Sequence, residues 1–264
     1  MKLLQDERFL NIIEYLKEHQ SATLAELAKY NGVSIDTTRR DVEKLDKDKI
    51  VNKVRGGATY YQADITTHRT SVREILNESE KKKISAALKD YISDGQVIAI
   101  NSGTTCAVVA RFLVDNYYRL TILTNNLEVM KIASENEGFN VIIPGGLLDI
   151  KENAIYGEQC EKDILEYNAD KLILGVHGVS LEKGVTDFRF KQKEVVQAML
   201  KISRERIVVA EASKLDKVSF VNICGLDEID YIITNGNLES SIKKKYQQAG
   251  VDIRSADELS LIHI

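Results

Sequence analysis

Residues 23–58 read TLAELAKYNGVSIDTTRRDVEKLDKDKIVNKVRGGA, and this stretch decides how the N-terminal part of the chain is understood. Thr23 is placed to cap a short helix that buries Leu24, Leu27 and Ala28. Asn31-Gly32 then supplies a tight turn, because Gly accepts the positive φ that a Cβ resists. Ser34 is placed to cap a second helix by accepting a hydrogen bond from one of its free N–H groups. Two short helices joined by a Gly-containing turn form a helix-turn-helix. Paired arginines on the second helix suggest what it faces.

Ile35, Thr38, Val42 and Leu45 recur at heptad-like spacing, so they share one helical face and are expected to pack inward. At about 100° per residue, Asp36, Thr37, Arg40 and Lys44 lie opposite, with Arg39 on the flank. A recognition helix needs this division, with apolar residues against partner helices and donors towards base edges and phosphates. Leu4, Phe9, Ile12, Ile13 and Leu16 offer a preceding amphipathic helix that completes a three-helix core. Residues 50–55 alternate like a strand and Gly56-Gly57 turns it, which predicts a hairpin, the wing of a winged helix. An Arg-Arg pair also occurs on ordinary solvated helices, so helix and turn signals alone leave the two readings level. The ordered set of turn, capped helix, outward arginines and basic hairpin favours DNA. The candidate DNA-facing residues are Ser34, Asp36, Thr37, Arg39, Arg40 and Lys44, with Lys53 and Arg55 on the wing.

A chain of 264 residues has room for two domains. Its hydrophobic content of 44% and charged content of 29% are ordinary for a globular protein. The apolar runs are too short for a membrane span, and no charged-then-apolar leader opens the chain. Cys106, Cys160 and Cys224 are isolated and odd in number, and the four His residues lack ligand spacing. The expectation is a cytoplasmic protein without disulfides, metal or cofactor. Net charge is −4, yet residues 1–62 hold eleven Lys/Arg against ten Asp/Glu, a formal +1. DNA affinity would therefore rest on a few placed cations and on doubling the site in a homo-oligomer, a dimer or tetramer.

Residues 59–75 lack periodicity and read as a linker. Ser79 to Tyr91 reads as a helix with Lys81, Lys82 and Lys83 on its solvated side. Apolar, β-rich runs follow at 97–100, 120–123, 141–143, 172–174, 207–210, 231–234 and 251–253. Helical patterns intervene at 106–114, 127–135, 158–167, 192–202 and 240–248. Such alternation implies a mostly parallel sheet covered on both faces. In such sheets ligands bind outside the carboxyl ends of the strands.

The loops at those ends are rich in Gly, hydroxyls and amides. They are Asn101-Ser102-Gly103-Thr104-Thr105, Thr124-Asn125-Asn126, Pro144-Gly145-Gly146 and Glu211-Ala212-Ser213-Lys214. Gly permits close backbone approach, and a helix N-terminus attracts an anion. Lys214 adds a point charge suited to phosphate. Each loop alone could be only a capped turn; together they predict a small, anionic, hydroxylated ligand. No G-x-x-x-x-G-K-[ST] and no G-x-G-x-x-G follows a strand, so nucleotide motifs are absent. In the segment 184–194, Asp187 and Glu194 are candidate sugar-hydroxyl acceptors, with Arg189 or Lys193 completing an anion site. Glu194 reads equally as a helix N-terminal charge. His177 follows a strand and reads as a surface or hydrogen-bonded loop residue.

The segment SIDTTRRDVEKLDKDKIVNKVRGGA resembles the N-terminal signature of the DeoR family of bacterial transcriptional regulators, with its Ser-led recognition helix, T-[apolar]-RRD and closing GGA. Thr38 stands where that family usually has an aliphatic residue; a buried Thr hydroxyl can bond the carbonyl one turn back. The resemblance continues through NSGTT, LTILTNN, VIIPGG, EASK and IDYIITN, and so covers nearly the whole chain. Asn101 and Glu211 stand where family members often have Asp. The resemblance implies a sensor domain similar to ribose-5-phosphate isomerases that binds phosphorylated sugars or related metabolites. Ser102, Gly103, Thr104, Thr105 and Lys214 would hold the phosphate. Asn125, Asn126, Gly145, Gly146 and Asp187 would shape the sugar end.

The sequence thus predicts an α/β protein: a winged helix-turn-helix over residues 1–58, a linker over 59–75 and a mostly parallel α/β effector domain over 76–264. The expected function is a repressor of sugar-metabolism genes that binds operator DNA and a phosphorylated sugar effector. The alternative is a sugar-phosphate isomerase using Asp187 or Glu194 as general base, an activity for which the N-terminal module is not needed.

Overall fold

The computed structural model describes residues 5–47, 50–60, 77–236 and 238–256, which fall into two compact units, 5–60 and 77–256.

The first unit runs α1 (Gln5–His19), β1 (Ser21–Thr23), α2 (Leu24–Asn31), α3 (Ile35–Lys47), β2 (Val51–Val54) and β3 (Gly57–Tyr60). Thr23 closes a capping box on α2: its Oγ1 accepts Glu26 N–H at 3.2 Å, and Glu26 Oε2 accepts Thr23 N–H at 2.7 Å. Gly32 ends α2 in the left-handed region at φ 63°. Ile12, Leu16, Leu27, Val42, Leu45 and Ala58 are buried and form the core of this unit. The wing is an antiparallel three-stranded sheet in the order β1-β3-β2, turned at Arg55-Gly56. Its last strand reaches Tyr60, two residues past the expected boundary at 58. The expected linker beyond Tyr60 lies outside the described residues.

One expectation for this unit is corrected. Ile35 is 47% exposed and does not join the core face, because it is the first residue of α3, before the helix turns against its neighbours. Asp41 is buried, where Arg8 grips it through Nε at 2.7 Å and Nη2 at 3.0 Å, tying α1 to α3. Thr38 is fully buried and its hydroxyl donates to Ser34 O at 3.2 Å, the bond one turn back that its position called for.

The second unit centres on seven parallel strands in the order β15-β14-β12-β9-β4-β5-β6. These are β4 (Val97–Ile100), β5 (Thr121–Thr124), β6 (Asn140–Ile142), β9 (Ala169–Gly175), β12 (Ser203–Val209), β14 (Tyr231–Thr234) and β15 (Ile253–Ser255). Alternate residues serve opposite faces. Ile98, Ile100, Ile173 and Ile207 pack with Ile84, Val109, Leu113 and Val129, from helices α4 (Glu78–Ala86), α5 (Thr104–Asn116) and α6 (Leu127–Ala133). Ala99, Leu172, Leu174 and Val208 pack with Ile164, Val195, Met199 and Tyr246, from helices α7 (Glu158–Leu165), α8 (Gln192–Ile202) and α9 (Ser240–Gln248). Near-continuous apolar strands follow from this double coverage.

Two antiparallel pieces went unread in the sequence. One is the hairpin of β7 (Leu147–Asp149) and β8 (Ala154–Tyr156); the other is the sheet β10-β11-β13, of Gly178–Ser180, Gly184–Asp187 and Val221–Cys224. The lysine run also needs correction. Lys82 and Lys83 are exposed, but Lys81 is only 2% exposed, since α4 turns that position against the body of the domain. After Ala86 the helix tightens to a 3-10 turn through Tyr91.

Candidate functional site

On the first unit, the outward side of α3 presents Asp36, Arg39, Arg40 and Lys44, all exposed, with Thr37 half-buried. Ser34 and Thr37 are occupied with one another: Ser34 Oγ accepts Thr37 N–H at 3.1 Å, and the two hydroxyls lie 2.9 Å apart. Arg39 pairs with Asp36 one turn back. Lys44 donates to Gln5 Oε1 at 3.1 Å, and Lys53 pairs with Glu43 at 2.7 Å. Arg40 and Arg55 are exposed and make no hydrogen bond or ion pair to the other described residues. Exposed pairs of this kind are weak because water screens them, so a phosphate can displace them. Among the described residues, Arg40 and Arg55 have no such pair to displace. The helix and the wing therefore offer cations suited to a polyanion, with Arg40 foremost.

On the second unit, Asn101 and Asn125 follow the register partners Ile100 and Thr124 on adjacent parallel strands. Both are fully buried. Asn101 staples the β4 loop to β9: its Nδ2 donates to Gly175 O at 2.9 Å, and its Oδ1 accepts Gly175 N–H at 2.8 Å. Gly175 has no room for a Cβ, which would stand 2.7 Å from Cys106 Sγ. Gly103, at φ 153° and ψ 158°, precedes α5 and faces open space, since nothing lies within 4 Å of the place its Cβ would take. Thr104 and Thr105 open the helix half-buried. A loop of small residues, half-buried from Gly103 to Thr105, at the start of a thirteen-residue helix with N–H groups lacking intrahelical acceptors is suited to an anion.

Ser102 is fully buried behind that opening. Its hydroxyl donates to Gln192 Oε1 at 2.6 Å and lies 3.3 Å from the Tyr156 hydroxyl, which also donates to Gln192 Oε1 at 3.1 Å. Arg189 Nη1 donates to both the carbonyl and the hydroxyl oxygen of Ser102. Its Nε and Nη2 grip the two oxygens of Asp187 at 2.9 and 2.7 Å, and Glu152 lies 3.8 Å away. Burial pushes the Asp187 carboxyl up, but the Arg189 charge and its hydrogen bonds outweigh this and hold it below the usual carboxylate range. The same partnership raises Arg189 despite its burial. Asp187 is thus brought to the Ser102 loop, though bound to Arg189.

The remaining predicted residues divide by role. Asn125 Nδ2 donates to Ile155 O at 2.9 Å, but its buried Oδ1 has no hydrogen-bond partner among the described residues. A buried orphan acceptor is costly, and a donor on a bound molecule would satisfy it. Asn126 caps α6, its Oδ1 accepting Val129 N–H at 2.9 Å. Gly145 N–H donates to Asp163 at 2.7 Å, and Gly146 sits at φ 136° with its Cβ position 2.6 Å from Tyr156 O. Both glycines shape the turn into β7. Lys214 is half-buried in the 3-10 turn Ala212–Lys214 after β12. A cavity of about 440 Å³ opens between the β7–β8 hairpin and the start of α8, lined by Leu147, Asp149, Tyr156, Phe190, Lys191 and Glu194. Tyr156 joins its wall to the Ser102 network. Gln192 and Tyr156 carried no sequence signal, because nothing local distinguishes them from other residues of an amphipathic helix or a short strand.

Known proteins bear on both units. The family model for the DeoR-like helix-turn-helix domain matches residues 8–63, and that for the DeoR C terminal sensor domain matches residues 76–236. The HTH-type transcriptional repressor GlcR of Bacillus subtilis is 30% identical over 233 residues, covering 88% of this chain and 89% of its own. The glycerol-3-phosphate regulon repressor of Escherichia coli is 29% identical over 88% of this chain and 91% of its own. Among solved structures, ribose 5-phosphate isomerase A of Methanocaldococcus jannaschii aligns with 53% of this chain and 55% of its own, at a TM-score of 0.40 and 18% identity.

Proposed function

Since the chain belongs to the DeoR family and is a DNA-binding transcriptional regulator, we propose that it represses genes of sugar metabolism and responds to a phosphorylated sugar. The unit that ends with the wing strand at Tyr60 serves as the operator-binding module, and the unit that begins at Asn77 as the effector domain. One observation carries the effector reading: the Gly103 loop at the start of α5 and Asn125, whose buried Oδ1 has no donor among the described residues, follow adjacent strands of the sheet. An anion at the helix start and a hydroxyl on Asn125 describe one small molecule bearing both groups. In this reading Ser102, Gly103, Thr104, Thr105 and Lys214 receive the phosphate. Asn125, Asn126, Gly145, Gly146 and Asp187 bound the sugar. The Glycerol-3-phosphate regulon repressor, a relative by sequence, has a phosphorylated polyol in its name.

The isomerase alternative fits the geometry poorly with Asp187 as its base; Glu194, the other candidate base, is exposed on the wall of the 440 Å³ cavity. A general base must be free to take a proton near the working pH. Asp187 is held by both forks of Arg189 and lies below the usual carboxylate range. Regulation without catalysis is the reading adopted because both family models describe a regulator, with a homo-oligomer supplying paired operator contacts.

The test is a gel shift on a duplex selected by the protein from a random pool, with and without a panel of sugar phosphates. At least one member is expected to change operator affinity. No change with any member, together with no shift in melting temperature, contradicts the effector assignment. Turnover of an aldose or ketose phosphate at ordinary enzyme rates contradicts the non-catalytic reading.

A further inference from the structure

The first turn of α4 is tied by two hydrogen-bonded bridges to the loops that follow β12 and β14. Asn77 Nδ2 donates to Glu211 Oε2 at 2.6 Å. Asn235 Nδ2 donates to Glu80 Oε2 at 2.6 Å, and its Oδ1 accepts Ala212 N–H, also at 2.6 Å. Glu211 and Asn235 are 8% and 3% exposed, so water competes weakly for these bonds. Between the two anchors lies the 3-10 turn Ala212–Lys214, closed by Lys214 N–H donating to Glu211 O at 2.8 Å. The N-terminal end of the turn that carries Lys214 is therefore held to α4 twice, through Glu211 and through Ala212 and Asn235.

The position of α4 in the chain gives this consequence. It is the first helix after residues 61–76, so its first turn adjoins in the chain the segment that leads to the DNA-binding module. Asn77 itself sits at φ 56° and ψ 34°, a left-handed conformation that Asn tolerates better than most residues. Its side chain contributes no cap to α4 and is committed instead to Glu211.

Resting on the reading that Lys214 meets the effector phosphate, we propose that these two bridges couple effector occupancy to operator affinity. Drawing Lys214 towards an anion shifts the turn 212–214. The bridges then pass that shift to Asn77 and Glu80, and α4 adopts a different start in the bound and free states. Such coupling requires only that the bridges differ between the two states, and its usual size is roughly 5–150-fold in affinity.

The full-length protein supplies the test. Asn77→Gly keeps the left-handed backbone and deletes the amide; Asn235→Ala removes the second bridge. The ligand probe is whichever hexose, pentose or triose phosphate raises the wild-type melting temperature, and the DNA is a duplex selected by the wild type. Wild-type operator affinity should change about tenfold or more with that probe. In either variant the change should fall to within about twofold, with the ligand-induced melting shift retained. A variant that keeps the wild-type ratio overturns the proposal. A second arm needs no ligand. By hydrogen exchange on the free protein, Asn77→Gly should speed exchange at Ala212 and Lys214 by about tenfold, and unchanged exchange there also overturns it. If no sugar phosphate affects the wild type, the effector reading fails, and the exchange arm still decides whether the bridges transmit. Asn77 is exposed, so its variant folds even where Asn235→Ala does not.

Discussion

Arg189 Nη1 stands 3.0 Å from both the carbonyl oxygen and the hydroxyl of Ser102. The loop proposed to receive an anion is thereby closed from behind by a buried cation. That cation is itself neutralised by a two-pronged grip on Asp187. The pair fixes the loop without presenting a free charge to solvent.

Removing one partner from this pair leaves the other charged and buried. Asp187→Asn is expected to cost about 3–5 kcal/mol of stability at neutral pH. The sign with pH follows from the depressed Asp187 carboxyl. Its contribution is complete above the unfolded carboxylate pKa of about 3.9 and is lost as pH falls through the lower folded value. Urea melts of wild type and Asp187→Asn at pH 7, 5 and 3 should show the gap narrowing only at the most acid point. A gap independent of pH contradicts the assignment.

Arg40→Ala should weaken operator binding by about 1–3 kcal/mol if the guanidinium reads a base, or lower the salt slope by about one if it meets a phosphate. The melting shift caused by a sugar phosphate should stay unchanged. Gel shifts over a salt series separate the two cases, and normal operator binding shows that α3 is wrongly oriented.

Lys214→Ala is the reciprocal experiment. It should abolish the melting shift produced by sugar phosphates while leaving ligand-free operator binding intact. A retained shift removes Lys214 from the anion site.

Gly146→Ala places a methyl group 2.6 Å from Tyr156 O at a backbone φ of 136°. Strain and overlap together should cost about 2–4 kcal/mol, read as a lowered melting temperature. Disturbing Tyr156 also disturbs the Ser102–Gln192 network, so the effector-induced shift should shrink as well.

Burial pushes the thiols of Cys106, Cys160 and Cys224 up to about 12. The thiolate is the reactive form, so the native protein should react slowly with an aromatic disulfide reagent at pH 8. Three thiols should titrate on unfolding. Rapid reaction of the folded protein indicates an opening at one of these sites.

Local patterns made much of the molecule readable. Helices α8 and α9 end where their periodicity ends, at 192–202 and 240–248. Strands β4 and β14 match their apolar runs residue for residue. The donor-rich loops were visible because Gly, hydroxyl and amide side chains gather at strand ends. Lys81 was misread because helical position alone does not say which side the rest of the domain will cover. Ile35 was misread because the heptad rule ignores how a first turn overhangs its neighbours. The sheet β10-β11-β13 was missed because Gly178–Ser180 and Gly184–Asp187 are shorter than a recognisable period.

By itself, the chain's order of residues determined the helix caps, the alternation of strand and helix and the outward placing of Arg40, since each depends on neighbours within about one turn or pleat. Tertiary structure alone decided that Arg8 would meet Asp41, that Arg189 would join Asp187 to Ser102, and that Asn77 would hold Glu211. The last pair is separated by 134 residues. Such partners are chosen when packing brings distant polar groups out of water together, where each must find a complement or bear the cost of burial.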